Sequence, residues 1–369
     1  MADLALPAEL ATPDWLAPTP NAAQTPLPEA LHRALNSAAH RERWKYTKAE
    51  VFLGATHTAA NLPQISGEQQ PGIDLQQTTK PVPLVGFDLD QAPEAFARLC
   101  YAANILTIDI SAPTTETLTL VHASSTVPVL IRVAEGASLT LNEISDCDSD
   151  AQQTIWIDLA ANAEMKHSRN ALDTAGAHWQ YLNVRLQRDA SYRLHNHVTG
   201  CVSRRQDIHV LMDGQGAEAN LISAGSVEGK TALDQQFTLE HRQPRGRSQQ
   251  TVHNIVANGG KCTFNGRIHI HEGATGTDAQ LANKNLGMGE HATINTKPEL
   301  EIYTDDVSCA HGATVGTISQ EALFYLLSRG IDQGAAQALL SQGFLRQCID
   351  GPLAESALET LIGGASLGL

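Results

Sequence analysis

The sequence predicts a mainly β protein, built as a parallel β-helix with helical segments before and after it. From about residue 105 the hydrophobic period becomes two, in short turn-bounded segments such as "TLTLVHAS" and "QYLNVRL". A small residue that precedes a strand recurs in steps of 26, 27 and 27 residues, at Ala137, Ala163, Ala190 and Ala217, and a further step of 27 reaches Pro244. A period in the twenties with little helix is typical of stacked coils of strands. A β-sandwich of regular hairpins is the alternative, although N-G and D-G turns are scarce.

The segments on both sides of this region have helical spacing. Before it, apolar residues recur every three or four positions from Leu27 to Ala38, and "QAPEAFARLCYAA" predicts a second helix. After it, Ser319 and Asp332 suit the N-caps of two helices, Gly330 suits the end of the first, and "PLAESALETLI" predicts a third. The predicted domains are an N-terminal helical or mixed domain (1–104), the β-helix core (105–316) and a C-terminal helical domain (317–369).

Composition argues against several classes of protein. The net charge of −15 disfavours a general binder of nucleic acid or anionic membranes, since both select for lysine and arginine. No apolar run approaches the roughly 18 residues of a membrane helix, and the N-terminus lacks the cationic start and apolar core of a secretory signal. We therefore expect a cytoplasmic protein with reduced thiols and neither nucleic-acid nor membrane partners. Its six cysteines include no C-x-x-C pair, so no local motif supplies four thiolates.

The stretch "EIYTDDVSCAHGATVG" (Glu301–Gly316) contains the strongest candidate site. Cys309 and His311 are two residues apart on a predicted strand. Their side chains therefore face the same side, about 6.6–6.8 Å apart at the backbone. Three interpretations remain open from the residues alone: a pair of metal ligands, a catalytic thiol with its base, or two structural residues. A nearby histidine is expected to lower the pKa of the thiol and favour the thiolate. A cysteine hydrolase also needs an orienting group and an oxyanion hole, and no motif near Cys309 supplies them.

Two other pairs of histidines have the same spacing. His195 and His197 lie in "LHNHVTGC", with Cys201 four residues after His197, and His269 and His271 lie in "RIHIHEG". Such a pair can share a metal ion, but a third ligand must come from elsewhere in the chain. We therefore favour solvated or hydrogen-bonded imidazoles at both places.

Several enzymatic motifs are absent. The chain has no G-x-x-x-x-G-K-[ST] loop, so it is not itself a P-loop ATPase, and no G-x-G-x-x-G opens a helix after a strand. Sugar-cleaving enzymes use paired acids, and Asp305 and Asp306 are the local candidates. Neighbouring residues of a strand face opposite sides, however, so these two are not expected to converge on one bond.

Particular motifs give the chain a family resemblance. The segment Gly276–Ile331 resembles the C-terminal signature of the SufB/SufD family of iron–sulfur cluster assembly proteins. Within it "NKNL", "TKPELEIYTDDVSCAHGATVG" and "LFYLLSRGI" are similar to SufD members, whereas SufB members carry a glutamate where this chain has Gly312. "RERWKYT" (Arg41–Thr47) resembles the N-terminal "WKYT" element of the family, and "LEHRQPRGRSQQ" resembles its mid-domain "LEH" strand.

The resemblance implies a right-handed parallel β-helix between two helical domains, and a non-catalytic scaffold subunit of the SUF complex. Such a subunit pairs with a SufB-like subunit, holds a SufC-like ATPase by its C-terminal helices, and helps to build nascent clusters or receive iron. The position of His311 is implied to bind a transient iron–sulfur cluster or iron at the subunit interface, with Cys309 the weaker candidate and no cofactor permanently bound. Phe324, Tyr325 and Arg329 are the expected partner contacts.

Three alternatives accompany this interpretation. The C-terminal helices either dock a partner or simply cover the solenoid, because their apolar face suits both roles. A β-helix carbohydrate-active enzyme is the rival from another functional class. A SufB-like scaffold that pairs with a second copy of itself is the third.

Overall fold

The computed structural model describes residues 34, 37–45, 47, 61–78, 93–95, 102, 104–351 and 353–363. They form two sheets that are the walls of a parallel β-solenoid of about seven turns. Each coil contributes one strand to each sheet, so consecutive strands along the chain belong to different walls. The predicted parallel β-helix with helices before and after it is therefore confirmed. The division into domains at residues 104 and 316 stays a prediction.

The two sheets are called here sheet 1 and sheet 2. Sheet 1 contains, in spatial order, β1 (Gln64–Ser66), β4 (Leu118–His122), β6 (Ser138–Ser145), β8 (Glu164–Ala171), β10 (Ser191–Thr199), β12 (Glu218–Glu228), β14 (Arg247–Ala257), β16 (Thr277–Met288) and β18 (Val307–Thr317). Sheet 2 contains, in spatial order, β2 (Ile73–Thr78), β3 (Ile105–Ile110), β5 (Val129–Val133), β7 (Ala151–Leu159), β9 (Ala177–Leu186), β11 (Ser203–Met212), β13 (Ala232–His241), β15 (Lys261–Ile270) and β17 (Thr293–Ile302). Only β1 and β2 pair antiparallel with their neighbours; the other pairs among the described strands are parallel.

The sequence repeat arises at one corner of the coil, where the chain turns from sheet 2 into sheet 1. Six stacked residues there have positive φ angles between 54° and 71°, namely Gly136, Asn162, Asp189, Gly216, Arg245 and Gly276. The backbone N–H of each donates to a carbonyl in the turn of the next coil at 2.7–3.1 Å. A small residue follows five of these six turn residues. Glycine, asparagine and aspartate tolerate this left-handed conformation best, which explains most of the repeat.

The period of the repeat lengthens along the chain. Steps of 26, 27 and 27 residues separate the stacked positions Ser138, Glu164, Ser191 and Glu218, and steps of 29, 31 and 30 follow to Arg247, Asp278 and Ser308. The expected position at Pro244 was wrong by two residues, because Gly246 is the residue that stacks on Ala217. The extra residues lengthen the strands, since β12, β14 and β16 have 11, 11 and 12 residues.

Aliphatic columns fill the space between the two sheets. One column in sheet 2 runs through every coil as Ile108, Ile131, Ile157, Val184, Val210, Leu239, Ile268 and Leu300. All of these residues except Leu300 are at most 2% exposed. Because each member contacts the same position of the coils on both sides, burial is complete in the middle of the stack and incomplete at its end.

The N-terminal segment packs on the outer face of sheet 2. Trp44 follows the short helix α1 (Ala38–Arg43), and its indole N–H donates to Glu94 at 2.7 Å. The guanidinium of Arg205, on β11, lies 3.9 Å from the centre of the Trp44 ring and also donates to Asp207 at 2.8 Å. The "WKYT" element thus contributes a stacked, ion-paired contact to the wall of the solenoid. The helices predicted from residue 27 and from residue 91 lie mostly outside the described residues.

The C-terminal helices pack on the outer face of sheet 1. They are α2 (Gln320–Ser328), α3 (Gln333–Leu345), a short 3₁₀ turn (Arg346–Cys348) and α4 (Ala354–Gly363). Ser319 and Asp332 cap α2 and α3 by accepting from backbone N–H groups at 3.2 and 3.0 Å, and Gly330 follows α2 with a φ of 84°, as predicted. The helices share one buried apolar cluster with strand residues that include Ile255, Leu286 and Met288. No helix of the described residues is long and apolar enough to cross a bilayer.

Neutral histidines lie beneath these helices. His197 on β10 is fully buried, and its Nδ1 lies 2.8 Å from Oδ1 of Asn170. Burial, and next the neighbouring His195, lower the pKa of His197 to about 4, although Asp350 acts in the opposite direction. His253 stacks on Phe344 at 4.7 Å, and burial lowers its pKa as well. Since these imidazoles are neutral when folded and protonate near pH 6.5 when unfolded, stability is lost as pH falls from about 6.5 towards 4.

Replacing His197 with Gln should therefore flatten this acid sensitivity. Glutamine keeps a donor for Asn170 but takes up no proton, so the slope of the unfolding free energy should fall by up to about 1.4 kcal/mol per pH unit. Urea unfolding at several pH values between about 7.5 and 4.5 measures that slope. An unchanged slope in the variant would show that His197 is not held neutral by the fold. Replacing the exposed His291 with Asn is the matched control and should leave the slope unchanged.

Candidate functional site

The two ends of the solenoid differ. At the first end, the antiparallel strands β1 and β2 lie beside the first coil. At the other end, β17 pairs only with β15 and β18 pairs only with β16 among the described strands. The backbone N–H and C=O groups along the outer edges of β17 and β18 therefore face away from the sheets without a neighbouring strand. We call this the open end of the solenoid.

Cys309 and His311 lie in β18 at the open end. In the parallel register Cys309 stacks on Ala279 and His311 stacks on Leu281, and both partners are core residues. Their side chains therefore occupy inward-facing positions, as the alternation of the sequence predicts. Because no coil follows, Cys309 is only half-buried and His311 is exposed. The sequence thus places a histidine where a complete column would continue with a buried residue.

The thiol of Cys309 is not activated by its surroundings. Burial, and next the nearby carboxylate of Asp278, raise the pKa of Cys309. The expectation that a histidine would lower it is wrong, because desolvation and a negative charge both disfavour the thiolate. Cys309 packs instead against the end of the core cluster. A thiol in this state is a weak nucleophile, so the geometry does not favour a cysteine hydrolase.

Side-chain hydrogen bonds inside the solenoid fix the strands of the open end. Thr296 on β17 donates to Oδ1 of Asn283 on β16 at 2.8 Å. Asn285, also on β16, donates to the carbonyl of Thr314 on β18 at 3.2 Å. Asn283 and Asn285 are both buried, so these bonds form in a medium of low dielectric constant. They join both edge strands to β16, and the bond from Asn285 holds the backbone of β18, which carries His311.

Apolar side chains are exposed near the open end and on the helix that follows it. Nine large hydrophobic side chains are exposed among the described residues, and six of them lie between residues 302 and 327, namely Ile302, Tyr303, Val315, Phe324, Tyr325 and Leu327. Phe324 on α2 is 72% exposed, and the guanidinium of Arg329 lies 5.1 Å from the centre of the Tyr325 ring. Single exposed hydrophobic residues are ordinary on a protein surface, but their concentration in one segment is not.

Asp305 and Asp306 do not lie in a strand, contrary to the sequence-based expectation. Both are exposed in the bend between β17 and β18, where the carbonyl of Asp306 accepts from Gly276. Neither carboxylate lines the clefts of about 300 and 320 Å³ on the described surface. The arrangement does not resemble a glycosidase site, which places two carboxylates across a bound sugar.

The two His-x-His pairs have different environments. His195 and His197 lie beneath the C-terminal helices, and no third His, Cys, Asp or Glu ligand atom groups with them in the part of the chain that the structure describes. His269 and His271 lie on the outer face of sheet 2, with ring centres 3.9 Å apart, beside Glu240. Among the described residues, only Glu240, His269 and His271 bring three potential ligand atoms within 4.8 Å of one another. Glu240 is not marked by any local sequence pattern, because it precedes His269 by one full coil.

The comparison with protein families identifies the solenoid. A family model described as the SufBD core domain of the SUF system for FeS cluster assembly matches residues 118–344, which is more than half of the chain. The chain belongs to this family. The matched region includes most of the parallel coils, the candidate residues Cys309 and His311, the helix α2 and all but the last residue of α3.

Curated relatives support this assignment. The chain is 35% identical over 217 residues to the iron–sulfur cluster assembly protein SufD of Escherichia coli, covering 58% of this chain and 51% of that protein. It is 28% identical over 235 residues to a SufBD family protein of Synechocystis, covering 60% and 52%. It is 30% identical over 232 residues to a chloroplastic protein of Arabidopsis thaliana, covering 60% and 48%. The matched region spans about half the length of these relatives, and the resemblance to SufD is confirmed.

If His311 has a functional role and not a structural one, the protein should keep its stability without this side chain. Replacing His311 with Ala should change the unfolding free energy by less than about 0.5 kcal/mol, because an exposed side chain is removed. Replacing Leu281 with Ala, one coil below in the same column, should cost about 2–5 kcal/mol because it leaves a cavity in the core. Urea unfolding of both variants gives this comparison. A loss of more than about 2 kcal/mol for His311→Ala would assign the residue to the core.

Proposed function

We propose that this chain is a non-catalytic scaffold subunit of a cytoplasmic SUF iron–sulfur cluster assembly complex. It pairs with a SufB-like subunit and holds a SufC-like ATPase, and it helps to build nascent clusters or receive iron. The observation that carries the proposal is the exposed imidazole of His311 on β18, an edge strand of a SufBD core. The iron and the cluster are cargo in this scheme, not resident cofactors.

His311 and Cys309 are proposed as half of a binding site. Iron–sulfur clusters are held mainly by thiolates, and histidine replaces thiolates in some of them. The two residues occupy alternate positions on one strand, so their backbones are too far apart for easy capture of one iron atom. His311 is the exposed member and offers a neutral ligand without a buried negative charge. We assign the main role to His311 and an assisting role to Cys309, with the remaining ligands coming from the partner and from sulfide.

The open end suits pairing with another solenoid. The edge strands β17 and β18 contain 10 and 11 residues, and each has one edge without a neighbour among the described strands. An unprotected edge of this length is a template for the strand of another chain, because the partner satisfies the exposed N–H and C=O groups. A partner docked along β18 would contact the segment that carries His311. Pairing and site completion are therefore one event in this proposal.

The C-terminal helices are proposed to hold the ATPase. Phe324, Tyr325 and Arg329 of α2 present an aromatic and cationic surface, which is the composition of strong protein–protein contacts. On their other side the helices are joined to sheet 1 by the shared apolar cluster. Closure of an ATPase dimer upon ATP binding would pull on α2, and the cluster would transmit this movement to β14 and β16. The strand β18 is hydrogen-bonded to β16, so the movement reaches the half-site.

Cluster yield tests the half-site. In the complex with its SufB-like and SufC-like partners, His311→Ala should lower the yield of assembled cluster by about tenfold or more. Even the loss of a residue that only hydrogen-bonds to a metal ligand lowers metal affinity or activity by about that factor. Cys309→Ala should have a smaller effect. Iron and acid-labile sulfide per purified complex are the measured quantities, and the exposed His291→Asn is the control. If His311→Ala assembles clusters as the unmodified chain does, the pair is structural.

Co-purification tests the docking surface. Removing residues 319–369 would uncover the apolar outer face of sheet 1, so point variants are a cleaner test than truncation. Phe324→Asp should weaken binding of the SufC-like ATPase by about 2 kcal/mol, or about 30-fold, if Phe324 is a central contact. Binding of the SufB-like partner should be unchanged. Val202→Asp, at another exposed hydrophobic residue, is the control.

Full ATPase binding by the Phe324→Asp variant would show that the helices only cover the solenoid. Recovery of a homodimer with no affinity for the SufB-like partner would favour the self-pairing scaffold, which would use the same edges. Each of these two outcomes contradicts a different part of the proposal.

A further inference from the structure

The outer face of sheet 2 carries a cluster of ligand-type side chains, separate from the open-end half-site. Glu240 on β13 is buried, with only 2% of its side chain exposed, and its Oε2 lies 3.1 Å from Nε2 of His271. His269 on β15 stacks on the ring of His271 at 3.9 Å. The three ligand atoms lie within 4.8 Å of one another. We call this group the outer cluster.

The coil geometry produces this cluster. Glu240 and His269 are register partners in adjacent parallel strands, so their side chains leave the sheet at neighbouring positions of one column. Neighbouring strands lie about 4.8 Å apart, which brings two such side chains within reach of one ion. His271 follows β15 at the next outward position, two residues after His269. The arrangement is therefore fixed by the backbone and does not depend on a flexible loop.

One atom of the cluster lacks a hydrogen-bond partner. Oε1 of Glu240 is buried and lies 3.2 Å from Nε2 of His209, yet neither atom has hydrogen-bond geometry to the other or to any other group. A buried carboxylate oxygen without a hydrogen bond is costly unless something else satisfies it. His209 also lines a cleft of about 320 Å³ on this face, together with Arg267 and Glu301. The cleft therefore lies beside the cluster, because its lining residues His209 and Arg267 contact Glu240 and His269.

We propose that Glu240, His269 and His271 bind a divalent first-row transition metal ion on the outer face of sheet 2. Two imidazoles and one carboxylate are the donor set of many zinc and non-haem iron(II) sites, and calcium and magnesium prefer oxygen ligands alone. In a tetrahedral site with bonds of about 2.1 Å the ligand atoms lie about 3.4 Å apart, so small side-chain rotations complete the geometry. Nε2 of His209, 3.2 Å from Oε1 of Glu240, is a further possible ligand atom.

Two guanidinium groups compete with the ion. Arg242 donates to Oε2 of Glu240 at 3.2 Å, and Arg267 lies 3.1 Å from Nδ1 of His269 while donating to Glu301 at 2.7 Å. A bound cation must displace Arg242 from Oε2 or use Oε1. Arg267 keeps its bidentate contact with Glu301 when it releases His269. The site is therefore one whose occupancy depends on small side-chain shifts, and removing Arg242 should strengthen it.

Titration of the purified chain with Co²⁺, followed by the visible d–d absorption of the bound ion, tests the site. The unmodified chain should bind a single ion at the outer cluster in preference to its other histidines. Glu240→Gln and His271→Ala should each weaken binding by at least about tenfold, as expected for loss of a ligand. Arg242→Gln should tighten it. His311→Ala and His291→Asn should leave it unchanged, which separates this site from the open-end half-site and from exposed histidines.

Two results would overturn the assignment. One is the absence of a d–d band in the unmodified chain, and the other is binding that survives both Glu240→Gln and His271→Ala. Urea unfolding of each variant reports whether it folds. If Glu240→Gln is unfolded, His269→Asn and His271→Asn decide the question, because these side chains are 16% and 34% exposed, whereas that of Glu240 is only 2% exposed. Binding retained in both of them would equally overturn the assignment.

Discussion

Each coil of this protein buries its inward side chains only against the coils on either side. A column such as Val184, Val210 and Leu239 is therefore fully buried in the middle of the stack, whereas Leu300 in the last coil is not. A stack of coils needs a cover at each end for the same reason. The antiparallel strands β1 and β2 lie beside the first coil, and no strand of the described residues does so for the last. The open end, its exposed edges and its half-buried cysteine all follow from this one constraint.

The same constraint explains why a half-site can be rigid. A residue on a surface loop would be free to move, but His311 belongs to a strand with parallel hydrogen bonds to β16 along its length. A buried bond from Asn285 to the carbonyl of Thr314 adds a contact from inside the solenoid, and Thr296 of the other edge strand donates to Asn283. A partner that docks here as proposed would therefore meet a preformed surface, and less conformational entropy would be lost on binding. The C-terminal helices share their apolar cluster with β14 and β16, so the proposed ATPase dock and half-site belong to one packed body.

Local chemistry made part of this structure predictable from sequence. The caps at Ser319 and Asp332 depend on side chains within three residues of the bonds they make, and the solenoid period is set by turn residues such as Gly136 and Gly216. The lengthening of the later coils was missed, because strands can grow while the turn chemistry is unchanged. The raised pKa of Cys309 was missed too, since Asp278 approaches it from the preceding coil.

The outer cluster was not predicted because it depends on the register between neighbouring strands. Glu240 and His269 are neighbours only because β13 and β15 pair without a shift, and a change of one residue would turn Glu240 towards the core. Spacing in the sequence gives a period but not this alignment. The family resemblance indicated His311 and Cys309, whereas the outer cluster could be identified only from the alignment of the strands.

Amide hydrogen exchange, measured on the chain alone and in complex with its SufB-like partner, tests the central claim most directly. The account predicts that amides along the unpaired edges of β17 and β18 exchange rapidly in the isolated chain and slowly in the complex, because a partner strand supplies their missing hydrogen bonds. Amides in the middle of the stack, such as those of β9 and β11, should be protected in both states. Protection that appears elsewhere, with the edges of β17 and β18 still exchanging rapidly, would contradict the account.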